Sequence, residues 1–147
     1  MKKQRTKDRA GAAFVELGFV LPIIVMTVLG VIEFSRALEV SQILTAAARE
    51  GGRLGMLNRL SDDPDPMNTK VTNDIKHFLA SQGLDPAMIT VEITDTSVDS
   101  NDVQLDDVDP KTDFMVRVTV PYSEVAYTSP WFLEDATLEG AIRMRHE

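Results

Sequence analysis

With 147 residues and a net charge of −8, the chain has room for one modest module of about 90 residues once its apolar N-terminal stretch is set aside. Charge is uneven: Lys2, Lys3, Arg5, Lys7 and Arg9 against Asp8 give residues 1–11 a net +4, so residues 12–147 carry −12. An acidic body without clustered Lys and Arg excludes nucleic acid as a partner, and the absence of cysteine excludes disulfides, thiolate nucleophiles and cysteine-based zinc sites.

The first predicted element is the run "AAFVELGFVLPIIVMTVLGVI", residues 12–32, in which Glu16 is the only ionisable side chain. As a helix rising about 1.5 Å per residue it spans about 30 Å, the hydrocarbon thickness of a bilayer, so it can cross once. The basic residues before it place the N-terminus in the cytoplasm and everything after Glu33 outside the membrane. A buried helix in a soluble protein is the competing reading, but so small a module cannot wrap a helix that is apolar all round.

Two residues inside the run stand out. Pro22 lacks an N–H and is expected to bend or loosen the helix, unless the kink is neutral. Glu16 is expensive in lipid, by about 2.5 to 3.5 kcal/mol at the bilayer centre. It either snorkels to the nearby cytoplasmic interface or finds a cation. Cleavage between Gly11 and Ala12 would create one, because the new Ala12 α-amine lies at the i, i+4 spacing from Glu16 and is mostly protonated at neutral pH.

From residue 33 to 57 the pattern changes to amphipathic. Ala37, Val40, Leu44, Ala47, Gly51 and Leu54 share one narrow face of mostly small residues, and Glu39, Gln42, Arg49 and Arg53 share a polar one. The membrane helix is therefore expected to continue outward, with a face another layer can approach closely. The alternative is that Gly51, Gly52 and Gly55 stop it near Gly51.

"SDDPDPMN", residues 61–68, reads as a connector. A second helix is predicted over 68–81, with Val71, Ile75, Phe78 and Leu79 on one face and Gly83 closing it. "MITVEITDT" and "FMVRVTVPY" read as strands, the latter with Val116, Val118 and Val120 on one side, and a last strand is predicted over 138–144. The fold class expected is α+β, a long N-terminal helix laid on a small antiparallel sheet. Its parts are a basic cytoplasmic leader (1–11), a transmembrane helix (12–32), an amphipathic continuation (33–57) and an extracytoplasmic α+β domain (58–147).

Chemistry-bearing candidates are sparse. Asp95, Asp99, Asp102, Asp106, Asp107, Asp109 and Asp113 crowd one region, but without an EF-hand pattern they read as a solvated acidic loop rather than a calcium site. His77 and His146 are too isolated for a catalytic pair or a metal site. Trp131 and Phe132, after Pro130, read as a core plug, with a subunit interface as the alternative. With no nucleophile elbow, phosphate loop or paired acids, no catalytic residue, metal or cofactor is assigned and the chain is not read as an enzyme.

The basic leader ending in Gly11, the apolar run from Ala12 and Glu16 as its fifth residue together resemble a type IV prepilin or pseudopilin. More narrowly, residues 11–53 resemble the TadE-like proteins of the tight adherence (Tad, or Flp) pilus system. The elements that carry this are Val15-Glu16, Pro22, Glu33-Phe34-Ser35-Arg36 and "AREGGR", in which Arg49, Glu50, Gly51 and Arg53 stand at the family's positions. Gly52 replaces an alanine expected there, and "MRHE" at 144–147 is like the family's short ending. The resemblance implies a type IV pilin-like fold and cleavage after Gly11 by a prepilin peptidase in the inner membrane. It further implies a minor-pilin or pseudopilin role with other Tad pilins and an inner-membrane assembly platform, Glu16 and Pro22 setting registry, and adherence and biofilm formation as the output. Location would then be the inner membrane, with pilus-associated or secreted forms.

Two rival readings remain. The chain could keep its leader as a single-pass anchored protein with an outer binding domain. Alternatively "SRA", residues 35–37, could precede a signal-peptidase cut, although the apolar run exceeds the usual length of about 7 to 15 residues.

Overall fold

The computed structural model describes residues 4–57, 66–95, 105 and 113–145. Its first element, α1, is a single helix from Gln4 to Leu57, about 80 Å long at 1.5 Å per residue. It passes through Pro22, where the missing N–H removes the bond to the carbonyl of Gly18. The helix does not stop at Gly51, so the glycines there are not caps. Among the described residues, the left-handed backbone conformation occurs at Gly83 alone of the glycines.

Helix α2 spans Met67–Ser81, one residue longer than its predicted start, and buries Met67, Val71, Ile75 and Leu79. Its end is a Schellman cap: Gly83, at φ +83°, donates its N–H to the Ala80 carbonyl, and Leu84 donates to that of Leu79. Leu79 and Leu84 are both buried, which completes the cap with an apolar contact.

Three strands follow: β1 (Thr90–Asp95), β2 (Asp113–Pro121) and β3 (Thr137–Arg145). They form an antiparallel sheet in the order β1-β2-β3. Met88, read as the start of the first strand, instead ends a 3-10 turn over 86–88, where the Asp85 carboxylate accepts the Ala87 N–H at 2.9 Å. Tyr122, read as the end of the second strand, likewise starts a 3-10 turn over 122–124.

Strand β2 alternates strictly, with Phe114, Val116, Val118 and Val120 buried. In register on the same face lie Ile93 and Ile142 beside Val116, and Val91 and Gly140 beside Val118. This apolar face packs against the outer half of α1, where Ala37, Val40, Leu44, Ala47 and Ala48 are buried. Burying each of the larger side chains contributes about 1.5 to 3 kcal/mol. Gly140 lets β3 lie directly on α1, since a methyl there would strike the backbone of Leu44 and Thr45. On the other flank, a methyl at Gly51 would strike Ile75 of α2. The observed arrangement is thus the long helix on a small antiparallel sheet expected from the sequence, an α+β layout consistent with a pilin-like fold.

Candidate functional site

The inner half of α1 touches almost nothing. From Gly11 to Val28 every residue is exposed, including Phe14, Phe19, Ile23 and Met26. An apolar surface of this extent marks a membrane or a protein partner. The helix is long and apolar enough to cross a bilayer, which fits single-pass anchoring. Gly11, Ala12, Glu16 and Pro22 all lie on this bare length, one turn separating the Gly11–Ala12 bond from Glu16. Among the described residues Glu16 has no hydrogen bond or ion pair.

The next residue outward behaves differently. Glu33, directly after the apolar run, is buried and accepts three backbone N–H bonds, from Trp131 at 2.7 Å, Phe132 at 2.9 Å and Leu133 at 3.3 Å. Burial alone raises its pKa, but the three donors outweigh that and leave it below the ordinary carboxylate value. The buried Tyr122 hydroxyl donates to the carbonyl oxygen of Glu33 at 3.2 Å. Burial and the nearby Glu33 charge push the Tyr122 pKa up, against a smaller opposing effect of Arg36.

One turn later, Arg36 donates its Nε–H to the Val125 carbonyl at 2.9 Å, pairs with Glu39 at 2.9 Å, and places its guanidinium 4.4 Å from the centre of the Tyr127 ring. Glu33 and Arg36 therefore clasp the segment between β2 and β3 at two places, Arg36 near its start and Glu33 near its end. Sequence reasoning noted this pair without assigning it a task. The available signal was an acid at the first position beyond an apolar run with an arginine three residues on. Its partners, some 90 to 100 residues away, leave no local trace.

Trp131 and Phe132 do not plug the core. They are 66 % and 51 % exposed, because their backbone N–H groups face Glu33 and leave the rings outside. Tyr122, 1 % exposed, fills the position they were expected to take.

The "AREGGR" segment divides by face. Gly51 and Gly52 are buried against α2 and β3, while Arg49, Glu50 and Arg53 are exposed on the opposite side. Arg53 grips Glu50 with two bonds, at 2.7 and 3.2 Å. The hydrogen bond from Arg53 lowers the Glu50 pKa, and on an exposed surface such a pair adds little to stability.

A family model described as "TadE-like protein" matches residues 11–53. This stretch of the chain is similar to the TadE-like family. The match starts at Gly11 and ends at Arg53, so the TadE-like region holds the bare helix, the Glu33–Arg36 clasp and the packing glycines, while α2 and the sheet lie beyond it. No curated protein and no solved structure matches the chain.

The remaining candidates have structural places or fall outside the described residues. His77 is exposed on α2, and His146 lies outside the described residues, as do Asp99, Asp102, Asp106, Asp107 and Asp109. Asp113 pairs with Arg143 and Arg145, each at 2.9 Å. The hydrogen bond from Arg145 leads in lowering its pKa, with burial opposing and Arg143 adding. Ala37, the residue before a conceivable signal-peptidase cut, is buried within α1, and cutting after it would detach Glu33 and Arg36 from the domain they clasp.

Proposed function

We propose that this is a Tad pilus-related pseudopilin or minor pilin, cut by a prepilin peptidase after Gly11 and then built into, or priming, a pilus used for surface adherence and biofilm formation. The observation that carries the reading is the TadE-like match, whose first residue is Gly11 and which includes Glu16 and Pro22. The geometry supports it in one respect: the sheet and α2 engage only the outer half of α1, leaving the inner half free to pass from lipid into a bundle of like helices. The mature Ala12 amine, beside Glu16 of its own or a neighbouring chain, would then neutralise an acid that apolar surroundings penalise. Other Tad pilins and the inner-membrane assembly platform would be its partners, with the N-terminus cytoplasmic and the folded domain outside.

The test is the N-terminus of protein extracted from membranes, read by intact mass. Ala12 as first residue is the expected result, and Gly11→Trp should leave the leader attached. Retention of Met1 would make the chain a permanent anchor, and a start at Leu38 a secreted domain; either overturns the proposal.

A further inference from the structure

The segment that Glu33 holds sits at the level where α1 leaves its apolar run. Phe132 lies over Gly30, where an added methyl would be 3.6 Å from its Cε2, and the Trp131 N–H is bonded to Glu33. Gly30 and Glu33 are about 4.5 Å apart along the helix axis, within the thickness of one interfacial zone of a bilayer, about 5 to 8 Å. Three aromatic rings on this segment are exposed, Tyr127 at 69 %, Trp131 at 66 % and Phe132 at 51 %.

We infer that this segment is a membrane-interface anchor: Trp131 and Phe132, with Tyr127 beside them, enter the headgroup region of the same bilayer leaflet from which α1 emerges. The occupant of this face is lipid because the face continues the apolar surface of the spanning helix: Phe132 lies over Gly30 and lines one open groove with Val31 and Phe34. The backbone is prepared for it. N–H groups that enter a region poor in water must be paired, and those of Trp131, Phe132 and Leu133 are all bonded to Glu33. Amphipathic aromatic rings favour this depth. Glu134 and Asp135 follow directly, so the rings, and not attraction to anionic lipid, supply the affinity. The anchor would fix the height and tilt of the folded domain before the helix leaves the membrane.

The inference rests on the spanning reading of α1 but not on leader cleavage. Trp131 is the only tryptophan, so its fluorescence reports this segment alone. The full chain would be reconstituted at low density in phosphatidylcholine vesicles and its insertion checked by flotation. Expected are blue-shifted emission, quenching by lipid nitroxide stronger at the top of the acyl chain than near its end, and a fall of at least roughly half in quenching by iodide equilibrated across the bilayer, as covering a ring 66 % exposed requires. A floating protein whose Trp131 stays open to iodide would overturn the anchor and leave the spanning helix standing. Shielding from iodide without nitroxide quenching would give the face to another protein and overturn it equally. Failure to float would overturn both readings.

Discussion

Glu33 is where single-residue chemistry reaches furthest across the fold. One carboxylate holds three consecutive N–H groups, and its own backbone carbonyl holds the Tyr122 hydroxyl. Glu33→Gln keeps the size but loses the charge and one acceptor, so the full chain in detergent should unfold at a lower temperature, with the Trp131 emission changed as the segment loosens. The pH dependence has a definite sign. Because folding lowers the Glu33 pKa from about 4.5, its contribution is complete above that value and declines as pH falls through the folded value. The stability gap between the parent and Glu33→Gln should therefore be steady near neutrality and narrow below about pH 4.5; a gap constant down to acid would mean the charge is not what holds the segment.

At the scale of elements, α1 presents two kinds of surface on one continuous backbone. Its inner half is apolar on every side, which suits lipid, and its outer half keeps a narrow row of small residues for the sheet and α2. Two glycines in the interface, Gly140 and Gly52, have unequal neighbours. A methyl at Gly140 meets main chain, at Leu44 and Thr45, so Gly140→Ala should destabilise by about 1 to 3 kcal/mol or more, since backbone cannot move aside. A methyl at Gly52 meets the flexible end of Met144, its Sδ at 2.7 Å. A methionine tip can yield, and alanine gains up to about 1 kcal/mol in helix propensity. Gly52→Ala should then be neutral or slightly stabilising in thermal unfolding. Loss of stability at Gly52 comparable to that at Gly140 would show that β3 lies tighter on α1 than described.

For the whole molecule, the decisive property is that the folded domain engages only the outer half of its long helix. Under the proposed function, that division would make a transfer from bilayer to filament mechanically simple, because no contact within the domain would have to be dismantled to free the inner half. On the proposed function, Glu16→Ala should leave membrane insertion and protein level unchanged, since the span only becomes more apolar, yet reduce pilus formation severely. Surface pili in normal number on cells carrying that variant would remove Glu16 from any registry role.

The helices and strands were legible because their signals are local. Residues 12–32 are apolar at every position except Glu16 and Thr27, β2 alternates along its length, and Gly83 marks the end of α2. What misled were residues whose surroundings are assembled from a distance. Trp131 and Phe132 look like core in the sequence, and only the bonds from their amides to Glu33 turn their rings outward. At Gly51 and Gly52 the continuation of the helix holds and the alternative of a stop does not, while only the fold shows that these glycines leave room for Ile75 of α2 and Met144 of β3.

The sequence by itself determined the long apolar helix, the α+β class and the similarity of residues 11–53 to the TadE-like family, since hydropathy, period and motif are properties of neighbouring residues. The tertiary structure alone decided that Glu33 and Arg36 clasp the segment between β2 and β3, and which aromatic rings stay exposed. Those outcomes depend on partners some 90 or more residues apart, where no local pattern records which groups will meet.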